Sequence, residues 1–119
     1  MEIYGRNYGF RLTVGAACDI AEKCPGGELK NFQQLLVGDA ASATEGRTVF
    51  LCALSRGDEE ARSFEEPGYK PAPLTRALLR SLDISTFGAL MAEASEAFKA
   101  GLETAVGVKA KKNEDAVEN

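Results

Sequence analysis

Thr44-Glu45-Gly46-Arg47-Thr48-Val49-Phe50-Leu51-Cys52-Ala53-Leu54-Ser55-Arg56-Gly57 is the stretch that decides the fold. Its centre, Val49 to Leu54, is apolar throughout, and so short a run suits a buried strand as well as a buried helix. The flanks break the tie. Thr44-Glu45 has the form of a helix start and Ser55-Arg56-Gly57 that of a helix stop. The reading is a central helix over 43–56, buried on most faces, in which Gly46 costs about 1 kcal/mol relative to Ala. With a helix at its centre, the chain is expected to be mostly α, and α+β only through a short N-terminal β-hairpin followed by about five helices.

Towards the N-terminus, Leu29, Phe32, Leu35 and Leu36 form one stripe of a short helix over 29–37. Before it, Ala16, Ala17, Ile20, Ala21 and Cys24 recur at helical spacing. Thr13 caps that helix, and Pro25-Gly26-Gly27 ends it at Cys24. The opening Glu2-Ile3-Tyr4-Gly5-Arg6-Asn7-Tyr8-Gly9-Phe10-Arg11-Leu12 alternates weakly. It reads as strands near 2–4 and 8–12 around a Gly5-Arg6-Asn7 turn. A two-stranded hairpin is marginal alone in water, so its apolar face must dock on the helices or on another subunit.

Towards the C-terminus, residues 57–73 read as irregular. Asp58, Glu59, Glu60, Glu65 and Glu66 crowd this stretch, and Pro67, Pro71 and Pro73 break it. Asp58 and Arg62 are spaced for an i,i+4 pair in a single helical turn. A loop of this length is either functional or mobile, and its acidic residues read as solvated. Leu74, Leu78 and Leu82 repeat every four residues in a helix from 74 or 75 to 82, and Ser85 or Thr86 caps the next. That fifth helix puts Phe87, Leu90, Met91, Ala94, Ala97, Phe98 and Leu102 on one face, a stripe wide enough to face a core. Residues 1–106 are expected to be one helical domain, and 107–119 a charged, disordered tail.

The 119 residues are 45% apolar with a net charge of −4, the profile of one globular domain. No run approaches the roughly 18 apolar residues of a membrane span. The first residues do not read as a secretory signal, so the cytoplasm is the expected location. The only basic cluster, Lys109-Ala110-Lys111-Lys112, is followed at once by Glu114, Asp115 and Glu118, which argues against nucleic-acid binding. Cys18, Cys24 and Cys52 are odd in number and sit among small or apolar residues, so they read as buried hydrophobes. There is no histidine, which removes the commonest general base and metal ligand. No phosphate loop, GxGxxG or GxSxG occurs. Neither an enzyme nor any metal or cofactor is expected.

The order of elements resembles that of the small tail assembly chaperones of bacteriophages and prophages, especially those of Firmicutes. The likeness lies in Ile3-Tyr4-Gly5-Arg6-Asn7-Tyr8-Gly9-Phe10-Arg11-Leu12-Thr13, in Cys18-Asp19-Ile20-Ala21-Glu22-Lys23-Cys24, in Val49–Leu54 before Arg56-Gly57, and in Ala94–Leu102 before the Lys/Glu-rich end. It spans most of the chain but rests on no invariant motif, and 58–73 has no counterpart in it. The resemblance implies a non-enzymatic protein that binds the helical tape measure protein before the tail tube polymerises, with self-association as a further possibility. The fifth-helix stripe reads as core. The residues left as candidates for partner binding are the hairpin's Tyr4, Tyr8, Phe10 and Leu12, together with Tyr69 in the loop.

Overall fold

The computed structural model describes residues 1–38, 41 and 43–104. It is mostly α, with a two-stranded antiparallel hairpin at its start and five helices. The expected disordered tail over 107–119 falls outside the described residues.

The hairpin is shorter than its sequence suggests. β1 is Glu2–Ile3 and β2 is Arg6–Asn7, with Glu2 opposite Asn7 and Ile3 opposite Arg6. The turn is therefore Tyr4-Gly5, one residue earlier than expected, with φ of 48° and 80°. Left-handed conformations at both central residues match the twist of a two-residue hairpin. The strand expected over 8–12 does not form. That segment crosses the central helix instead, and the Arg11 amide donates to the Leu54 carbonyl at 3.1 Å.

α1 is Val14–Lys23, and the Thr13 hydroxyl accepts from the Ala16 amide at its N-cap. A 3₁₀ turn over Leu29–Asn31 leads into α2, Phe32–Leu36. α3 is Ala40–Glu65, about 39 Å long at 1.5 Å per residue. It overruns the expected stop at Gly57 and absorbs Asp58, Glu59, Glu60 and Glu65, which were read as loop, leaving only Glu66 outside it. The remaining strap, 66–75, is fixed where the Leu74 amide donates to the buried Ser55 hydroxyl at 2.9 Å. α4 is Arg76–Arg80, capped by Thr75. α5 is Ile84–Glu118. Its cap is Asp83 rather than Ser85 or Thr86: Asp83 Oδ1 accepts from the Thr86 amide at 2.7 Å.

α3 is the axis on which the other elements pack. Phe50, Leu51 and Leu54 are fully buried on it. Ala16 and Ile20 of α1 meet them, as do Leu79 of α4, Leu90, Ala94 and Phe98 of α5, and Ile3 and Tyr8 of the arm. The predicted α5 stripe is thus core at Leu90, Ala94 and Phe98, with Phe87, Met91 and Leu102 partly buried beside it.

Candidate functional site

The five residues singled out from sequence do not form one face. Tyr8 is only 6% exposed and belongs to the core, where a partner cannot reach it. Phe10 and Leu12 are half-buried against that core. Tyr4 is 74% exposed, and its hydroxyl lies 3.0 Å from Ser81 Oγ, beside the α4–α5 corner. Tyr69 is half-buried and hydrogen-bonds Glu59. Chain alternation in a hairpin that ends at Asn7 cannot carry all of these side chains to the same surface.

Around Tyr69 the chain builds a polar clamp. Glu59, 2% exposed, accepts from Arg6 Nε at 3.1 Å and Arg6 Nη2 at 2.8 Å, while the Tyr69 hydroxyl donates to its other oxygen. Arg6 Nη2 also donates to the Tyr69 hydroxyl at 3.0 Å and to the Lys70 carbonyl at 3.2 Å. At the preceding residue, Asp58 lies 3.4 Å from Arg11 and 3.0 Å from Arg62. Arg11 reaches on to Glu65 at 2.8 Å. The guanidiniums of Arg6 and Arg62 stand 5.6 and 6.0 Å from the Tyr69 ring centroid, within cation–π range.

The electrostatics follow from Glu59. Its hydrogen bond with Arg6 raises the Arg6 pKa, and its hydrogen bond with Tyr69 holds that phenol protonated above its ordinary 10.0. Asp58 and Glu59 are therefore not solvated loop acids. A signal for this was in the sequence: continued at helical period, the buried row Leu51, Leu54, Ser55 runs on to Asp58, Glu59 and Arg62. Both carboxylates are engaged by guanidiniums, and no group of potential metal ligands occurs among the described residues. The clamp binds the arm and the strap to α3.

An apolar groove lies on the other side of the core, between α2 and α5. Its cavity is about 350 Å³, floored by Phe32, Leu36, Phe50, Phe98 and Leu102 and rimmed by Gln33, Ser95 and Lys99. The Phe98 ring sits 4.6 Å from Phe32 and 5.1 Å from Phe50, centroid to centroid, in tilted and edge-on geometry. Each wall offers two apolar residues one turn apart: Phe32 and Leu36 on α2, Phe98 and Leu102 on α5. Sequence reasoning read Phe98 and Leu102 as core and Phe32 and Leu36 as one helical stripe, and missed that they leave a hollow between them.

The chain matches no family model, no curated protein and no solved structure. Function must be argued from the surfaces themselves. Among the described residues no helix is long and apolar enough to cross a membrane. The cysteines are unpaired, with Cys24 buried, Cys52 half-buried and, against expectation, Cys18 exposed. Cys18 lies on the solvent side of α1, because the buried row there is Ala16 and Ile20. Burial raises the thiol pKa of both Cys24 and Cys52, which leaves both poor nucleophiles.

Proposed function

We propose that this protein is a tail assembly chaperone of a phage or prophage, acting without catalysis in the bacterial cytoplasm and binding an amphipathic helix of the tape measure protein. The observation that supports it is the α2/α5 groove. Helix-in-groove recognition needs apolar anchors at i, i+3 or i+4 and i+7, and the paired residues one turn apart on the two groove walls offer that spacing. A nascent tape measure protein exposes such helices before the tube forms, and a groove that covers them keeps them from aggregating. The overall charge of −4 and the dispersed basic residues disfavour nucleic acid as the partner.

The test is co-expression with the long helical protein encoded beside it. The chaperone reading expects the client to become soluble with the wild-type protein. It expects that effect to be lost with Leu36→Glu or Leu102→Glu, both in the groove and half-buried, while the circular dichroism of the variants is retained. A client equally soluble with and without the protein rejects the reading. Mass spectrometry of finished particles adds a second check, since a chaperone leaves before completion and a retained structural component does not.

A further inference from the structure

Two surfaces of the molecule complement each other, and the side chains that make them, Phe64 and Glu66 on one and Arg47, Arg80 and Ile84 on the other, belong to neither the groove nor the clamp. The first is a knob at the end of α3. Phe64 is 92% exposed, the sequence continues Glu65-Glu66-Pro67, and the Glu66 carboxylate has no partner among the described residues. The second is a cavity of about 370 Å³ between the start of α3 and the α4–α5 corner, lined by Leu79, Leu82, Ile84 and Phe87 and flanked by Arg47 and Arg80. Neither guanidinium has an ion-pair partner among the described residues. Ile84 is itself 93% exposed, so the mouth of the cavity is apolar as well as its floor. A cavity of roughly 150 Å³ already accepts a benzene ring.

The two surfaces cannot meet within one molecule. From Gly46 to Phe64 is five turns of α3, a rise of about 27 Å. Phe64 therefore projects on the Gly46 side, which faces α2, whereas Thr44, Arg47 and Thr48 line the cavity on the opposite side. We propose that Phe64 of one copy seats in the Arg47–Arg80 cavity of a second copy, so that the chain self-associates head to tail. The occupant is a second copy because this chain itself carries the matching knob: an exposed aromatic ring with the Glu66 carboxylate close behind it, against an apolar hollow flanked by two guanidiniums that have no ion-pair partner among the described residues. The contact joins different patches, so it is heterologous and builds rings or open chains rather than closed two-fold dimers. It does not depend on the tail-chaperone reading.

The experiment is sedimentation of the full chain over a range of concentrations. Wild-type mass should rise with concentration and fall back as salt is added, because charge pairs at an exposed rim are screened. Phe64→Asp, which removes the knob, and the double variant Arg47→Glu/Arg80→Glu, which reverses the flanking charge, should each weaken association by roughly tenfold or more. All three sites are exposed, so circular dichroism should match wild type. The decisive arm mixes the two variants: one retains only a cavity and the other only a knob, so they should form a one-to-one pair and nothing larger. A wild-type chain that stays monomeric to about 1 mM, a Phe64→Asp chain that assembles like wild type, or a mixture that forms no pair would each overturn the proposal.

Discussion

A methyl group on residue 57 would sit 2.5 Å from the Arg11 carbonyl oxygen and 2.8 Å from Thr13 Oγ1. Gly57 is therefore a crossing point for the N-terminal arm, in mid-helix. Gly57→Ala gains about 1 kcal/mol of helix propensity yet should still lose about 1–3 kcal/mol to overpacking, measured by urea denaturation. Gly88 is the control, because a Cβ there meets nothing within 4 Å, and Gly88→Ala should stabilise by about 0.5–1 kcal/mol. This residue also explains the main misreading of the sequence. A glycine after Ser-Arg has the local form of a helix stop, and what makes it a crossing point is Arg11, far away along the chain. Glu59 was misread for the same reason, since its partners Arg6 and Tyr69 are invisible to a local reading of acidic residues. Glu59→Ala leaves Arg6 without its carboxylate. A buried pair broken this way costs about 3–5 kcal/mol, and with the Arg6 side chain 35% exposed we expect about 2–3 kcal/mol. Glu59→Gln, which keeps an acceptor for Tyr69, should cost less, and equal losses for the two variants would show that the retained acceptor contributes nothing and that the whole loss is the charge's.

At the scale of elements, punctuation was legible where it is local. Thr13 caps α1 as read, through its own side chain, and Pro25-Gly26-Gly27 closes the first helix, whereas Thr75, read as a possible first residue of its helix, is the cap of α4. The start of α5 was ambiguous because Asp83, Ser85 and Thr86 all favour caps. The structure resolves it through Asp83 Oδ1, which accepts from both the Thr86 amide and the Ser85 hydroxyl. Those bonds, the Thr86 amide first, hold the Asp83 carboxyl below its ordinary 3.8. A carboxyl depressed in the folded state stabilises fully above its unfolded value, and that stability is lost as pH falls through the folded value. The stability difference between wild type and Asp83→Ala should therefore be flat from neutral pH to about pH 5 and shrink below about pH 4. A difference that persists unchanged in acid would show that the cap does not depend on the carboxylate's charge.

The molecule as a whole is tied together at Phe98, the one side chain among the described residues whose ring contacts join α2 and α3 to α5. Its place in the core was legible because the α5 stripe is long, strongly periodic and local. The groove beside it was not, because whether facing rows meet or leave a hollow depends on how far apart α2 and α5 are set. Gly46 takes part in that setting: a Cβ there would overlap the Leu35 carbonyl, so α2 rests directly on the backbone of α3. Phe98, 3% exposed, is thus at once core and groove floor. Phe98→Ala should cost about 3–5 kcal/mol, and a double-mutant cycle with Phe32→Ala should show a coupling of about 0.5–1.5 kcal/mol for the ring pair. Because the contact spans three helices, the loss should appear as one cooperative transition, with tyrosine fluorescence and circular dichroism midpoints moving together. Separated midpoints would mean that α5 unfolds on its own and that the groove opens without the rest of the core. A near-neutral Phe98→Ala would mean that the ring contributes surface rather than packing, and the groove would then reach through what is here the centre of the fold.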